Sequence, residues 1–128
     1  MTDERYQAGM KTRREVLGDK HVDKAIDSSS EFSMAMQELV VKNCWGDIWS
    51  REGLDRKTRS LVTVALLTSL RASGELKGHV RGALRNGASK EEIQEVLLHA
   101  ATYCGMPAGI EAFRAASETI EAWDAGER

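Results

Sequence analysis

The chain has 128 residues, 41% of them hydrophobic and 30% charged, and its 18 basic and 20 acidic residues leave a formal net charge of -2. That length suits one domain around one core; the near balance of charge excludes a basic field for a nucleic-acid backbone, and a single Pro with no low-complexity run excludes a disordered tail. No apolar run approaches the roughly 20 residues of a membrane span, and the opening MTDERYQAGM is charged from its third residue, so a cytoplasmic protein without a membrane partner is expected.

Residues 2–17 read as a first helix starting at Thr2 and stopped by Gly18. A short helical stretch over 21–26 gives way to Asp27-Ser-Ser-Ser30, and Ser30 can cap a helix whose Phe32, Met36, Leu39 and Val40 read as core. That helix loosens at Trp45-Gly46, and a helical turn would put the rings of Trp45 and Trp49 on one side. Gly53 breaks the chain. Asp55 is then a good N-cap for a helix over 56–72, where Leu61, Val62, Val64, Ala65, Leu66, Leu67 and Leu70 surround the axis as in a central buried helix ended by Gly74. The next helix, 75–86, closes on Asn86-Gly87, and Ser89-Lys-Glu-Glu92 has the form of a capping box opening a helix through Ile93, Val96, Leu97 and Ala100. Tyr103-Cys-Gly-Met-Pro107 interrupts the pattern, and Pro107 starts a last helix to about Trp123. No strand pair and no repeat is visible, so the expectation is one all-α domain over 1–128 with six to seven helices.

Cys44 and Cys104 fit neither a disulfide framework nor a metal spacing, and His21, His79 and His99 form no HxxxH or HxH pair, so no metal is implied. On a wheel of the 75–86 helix, Leu76, Val80, Ala83 and Leu84 face the core, while Lys77, Arg81 and Arg85 form a stripe expected to be solvated. Glu75, His79, Gly82 and Asn86 border the core on the other side, where a pocket could open. Glu75 and His79 are four apart, so the carboxylate can favour the imidazolium and orient it as a proton donor; the plainer reading is a surface pair worth about 0.3 kcal/mol. His99 reads as an interior or interface residue and His21 as part of a polar connection. Arg56, Lys57 and Arg59 crowd the first turn of the 56–72 helix, where the helix dipole disfavours cations, and Arg59 could pair with a substrate carboxylate. Tyr103 and Cys104 either line a cavity or pack.

The segments Arg59-Ser-Leu-Val-Thr-Val-Ala, Gly74-Glu-Leu-Lys-Gly-His79-Val-Arg-Gly-Ala, Asn86-Gly-Ala-Ser-Lys-Glu-Glu-Ile-Gln-Glu-Val and Tyr103-Cys-Gly-Met-Pro107-Ala together resemble the carboxymuconolactone decarboxylase family in order and spacing. The N-terminal Arg5-Tyr-Gln-Ala-Gly-Met, Arg13-Arg-Glu-Val-Leu-Gly-Asp-Lys-His21-Val-Asp and Trp45-Gly-Asp-Ile-Trp49 extend the resemblance over nearly the whole chain. It implies an all-helical subunit of the alkylhydroperoxidase D-like type in a hexamer, with no metal or organic cofactor. The implied reaction is decarboxylation of 4-carboxymuconolactone to the β-ketoadipate enol-lactone in protocatechuate breakdown. The implied site has His79 in proton transfer with Glu75 as its orienter, Arg59 on a carboxylate or dienolate oxygen, and Tyr103 and Trp45 at the substrate. Departures at Ala108-Gly-Ile-Glu-Ala-Phe113 and Arg85-Asn-Gly leave open a paralogue for a related lactone or acid. A thiol peroxidase of the same superfamily would carry Cys-x-x-Cys-x-x-x-His; aligned on His79, the cysteine positions hold Ala72 and Glu75. A helical assembly protein without turnover is the third class.

Overall fold

The computed structural model describes residues 3–128, whose backbone contacts gather into two compact units, one ending at Asp55 and one spanning Arg56–Arg128. Each has its own core.

The first unit holds α1 (Glu4–Leu17), α2 (Asp19–Asp27), α3 (Glu31–Leu39) and a stretch of π-helix (Val40–Gly46) that continues α3. The expected helix start at Thr2 lies outside the described residues; the Asp3 side chain accepts the Tyr6 backbone N–H and caps α1, which ends at Gly18 with φ 91°. The buried face of α1 is Gly9, Thr12, Arg13, Val16 and Leu17, an i, i+3, i+4, i+7, i+8 stripe. This face lies on the π-helix so closely that a Cβ on Gly9 would stand 2.0 Å from the Val41 carbonyl oxygen. The loosening expected at Trp45-Gly46 is a wider helical turn: the N–H groups of Asp47 and Trp49 donate to the carbonyls of Lys42 and Cys44, five residues back, at 3.0 Å each. Trp45 and Trp49 stack with ring centroids 4.8 Å apart in a core with Val16, Leu17 and Val22.

The stripe expected as core on α3 is not core. Phe32 is 92% exposed, Met36 58% and Leu39 52%, and only Val40 packs partly against the unit's centre. The Ser30 capping box forms as expected, with Ser33 as its partner. Capping and periodicity thus shape α3, while no residue of the helix is buried.

The second unit holds α4 (Arg56–Ser69), α5 (Ser73–Arg85), α6 (Lys90–Cys104) and α7 (Met106–Asp124). Their core is Val64, Leu76, Val80, Ile93 and Leu97 with the alanines 83, 88, 112, 115 and 116. The last connections follow the sequence reading: Gly87 sits at φ 96°, the Ser89–Glu92 capping box is formed in both directions, and Gly105 at φ 105° separates α6 from α7, which carries Pro107 in its first turn.

Two expectations about α4 are corrected. It ends at Ser69 rather than 72, because Arg71 takes the left-handed conformation with φ 56°, and Gly74 lies inside the first turn of α5. A left-handed non-glycine residue costs about 1–2 kcal/mol, and here the Arg71 guanidinium forks onto Glu111 of α7 at 2.9 and 2.6 Å. Nor is α4 buried all round: only Ser60, Val64 and Thr68 are, while Leu66 is 57% and Leu70 73% exposed. α5 and α6 cover its two flanks and leave the outer arc open.

Gly9→Ala is expected to lower stability by about 2 kcal/mol, since overpacking costs up to about 3 and alanine returns roughly 1 in helix propensity. Gly53→Ala, with nothing within 4 Å of the added Cβ, should stay within about 0.5 kcal/mol; urea unfolding of the two variants measures the contrast.

Candidate active site

The residues singled out on α4 and α5 meet along one seam. Asn86, closing α5, donates from Nδ2 to Ser60 Oγ at 3.2 Å and to the Gly82 carbonyl at 2.7 Å. Ser60 lies at the start of α4, so this bond fixes the two helices as antiparallel. Glu75, His79, Gly82 and Asn86 share a flank of α5, and the bond turns that flank toward α4 beside the buried Leu76, Val80 and Ala83.

Arg59 and His79 are both half-buried, with Arg59 Nε and His79 Nδ1 shielded from solvent. Counted from Asn86 at 1.5 Å per residue, His79 stands about 10 Å along the seam from the Arg59 end. The two therefore address opposite ends of anything lying there. Glu75 is exposed, one further turn along in the first turn of α5, where a carboxylate suits the helix dipole. Of the crowded cations opening α4, Lys57 pairs with Glu92 of α6 at 2.9 Å. The Ser89 backbone N–H and then Lys57 hold the Glu92 carboxyl below its usual range.

Tyr103 belongs elsewhere on the unit. It is 79% exposed at the end of α6 and stacks on His99 with centroids 5.0 Å apart, so His99 is not interior either. A groove of about 420 Å³ runs beside them, lined by Leu61, Val62 and Ala65 of α4 and Glu95, Val96 and His99 of α6. Those α4 residues occupy a different flank from Arg59. Trp45 sits in the core of the first unit, 3% exposed.

The stripe expected to be solvated faces α7. Lys77 pairs with Glu118, and Arg81 is half-buried over a hollow of about 290 Å³ beside Thr119 and Ala122. Its Nη2 is enclosed without an acceptor, and burial, with the Arg85 charge, pushes the guanidinium below its usual value. α5 has a helix on each flank, which the wheel of one helix does not reveal. Arg13 was also passed over, although it falls within the buried stripe from Gly9 to Leu17, and that spacing is legible in the sequence. Both cysteines are free thiols, and among the described residues no cluster of three His, Cys, Asp or Glu side chains is arranged to hold a metal.

A family model described as the carboxymuconolactone decarboxylase family matches residues 35–118. A 4-carboxymuconolactone decarboxylase of Acinetobacter baylyi is 42% identical over 94% of this chain and 91% of its own length. Nitrosuccinic acid decarboxylase npaB of Metarhizium robertsii is 44% identical over 90% of this chain and 80% of its own. An uncharacterized 15.0 kDa protein of Paracoccus denitrificans is 40% identical over 58% of this chain and 62% of its own length.

The seam's register makes a direct prediction. Asn86→Ala removes the bonds to Ser60 and Gly82, and at about 1 kcal/mol net each it should lower stability by about 1–2 kcal/mol, with an earlier urea midpoint and unchanged slope.

Proposed function

This chain belongs to the carboxymuconolactone decarboxylase family and is a carboxy-lyase, and from that premise we propose that it decarboxylates 4-carboxymuconolactone to the β-ketoadipate enol-lactone in protocatechuate catabolism. The observation that carries the reading is the nearly end-to-end match to the Acinetobacter relative bearing that name.

The chemistry fits a seam with a cation at one end and an imidazole at the other. As the bond to the departing carboxylate breaks, its electron pair passes through the conjugated system to the lactone carbonyl oxygen, giving a dienolate; a proton then returns to carbon as carbon dioxide leaves. Arg59 is assigned to the substrate's negative oxygens through its paired donors. His79 is assigned to proton transfer through Nε2, because Nδ1 is shielded. Glu75, one turn away, favours the imidazolium by its charge. Tyr103 is assigned to hydrogen bonding from the exposed end of α6, and Trp45 to holding the π-helix of the first unit. None of these steps requires an added cofactor.

A second reading is favoured by the nitrosuccinic acid relative. In a nitro acid the electrons freed by decarboxylation pass to the nitro oxygens, so the same cation and the same acid would serve a different substrate. We also propose that the whole chain acts as one family domain in a cytoplasmic homo-hexamer. The exposed Phe32, Leu70 and Tyr103 support assembly.

Purified chain given 4-carboxymuconolactone should release carbon dioxide; turnover of nitrosuccinate alone would favour the second reading, and peroxide reduction with a dithiol in place of both would overturn the decarboxylase assignment. His79→Gln should cost at least about 100-fold in kcat, and a fully active variant removes His79 from the mechanism. Glu75→Gln lowers the pKa of the imidazolium, so the alkaline limb of kcat should move to lower pH. Light scattering should give a mass near six times the 14.2 kDa subunit.

A further inference from the structure

The first unit contains a cation that the reaction above does not use. Arg13 is 7% exposed, within the buried stripe of α1. Its Nη1 donates to the side-chain oxygen of Gln37 at 2.8 Å, a neutral acceptor, and its Nε is enclosed without one. The next residue shows the ordinary solution: Arg14 is partly exposed and reaches Asp23 at 2.8 Å and Asp19 at 3.2 Å, and both raise its pKa. No carboxylate among the described residues pairs with Arg13.

Countercharge is missing nearby as well. The groups whose ionisation would favour the Arg13 charge are Tyr6 and Cys44, and both side-chain types are largely neutral at pH 7. Burial pushes the Cys44 thiol further up. Burial likewise works against the Arg13 cation itself. A guanidinium cannot shed its proton to escape this, so an enclosed one with a single neutral partner calls for an anion.

We propose that Arg13, oriented by Gln37, is a recognition site for a small carboxylate in the first unit. The choice of carboxylate over other anions rests on the decarboxylase reading above; the need for an anion does not. Access is through α3, which carries Gln37 and has no buried residue of its own, so the cover over the guanidinium is weakly held. When α3 lifts, the Nε and Nη donors present the parallel pair that fits a carboxylate, with the Gln37 amide beside them.

The test is made on the full chain with succinate as probe and succinamide at matched ionic strength as the uncharged control. In spectra of arginine-labelled protein, the Nε–H signal assigned to Arg13 should move saturably with succinate and stay still with succinamide, and the wild-type Tm should rise with succinate. Arg13→Met should abolish the response and, by deleting an unpaired buried charge, raise Tm in succinate-free buffer, whereas a merely structural arginine would lower it. Arg13→Lys keeps the charge, guards against a Met variant that does not fold, and should weaken succinate by about tenfold through loss of the paired donors. An unmoved Arg13 signal, or unchanged succinate affinity in Arg13→Lys, overturns the proposal. Turnover is not part of the readout: succinate binding through Arg13 without decarboxylation leaves this site standing, and decarboxylation without an Arg13 response leaves the reaction standing alone.

Discussion

Both units depend on helix backbones that come closer together than a side chain would permit. Gly9 meets the Val41 carbonyl in the first unit, and in the second a Cβ on Gly109 would stand 2.4 Å from that of Ala101. Alanines form half of the second core. Such a core gains less from apolar area per residue than one of leucines and relies more on dense contact, so small increments of volume are felt strongly. It also leaves little interior space. The recognisable chemistry accordingly lies on seams, where Arg59 and His79 look out from between α4 and α5.

Charge plays a different part. The pairs Lys57–Glu92, Arg71–Glu111 and Lys90–Asp124 tie neighbouring helices of the second unit together at 2.6–2.9 Å. Exposed as they are, each is worth little energy, but each admits only one register. The arginines of interest are the two outside this scheme. Arg13 and Arg81 carry enclosed guanidinium nitrogens without acceptors, on helix faces where the neighbouring positions are apolar or small.

Much of the fold was legible because its punctuation is local. A glycine at a positive φ, a serine reaching three residues ahead and a proline in a first turn act within a few residues, and Gly18, Ser30, Ser89, Gly105 and Pro107 all sit where the sequence puts them. The arginine turn at position 71 was hidden, since its conformation is held by Glu111, forty residues away. Periodicity erred in a consistent way: it found the apolar stripes of α3 and α4 but assumed they were covered within the chain. Phe32 and Leu66 show that a stripe names a face and not what covers it. The stripe of Glu75 and His79 was found on the right border because the wheel needs only one helix. That Arg81 also faces a helix required the position of α7.

The tryptophans divide unevenly between the units. Trp45 and Trp49 are stacked and buried in the first, tilted by 34°, while Trp123 in the second lies near the end of α7 with the Arg128 guanidinium 4.2 Å from its ring centre. Intrinsic emission therefore reports chiefly on the smaller unit, whereas far-ultraviolet dichroism weights the longer helices of the larger one. The two signals trace a single curve on heating only when the units melt together, so the chain carries its own optical measure of whether its halves are thermodynamically one.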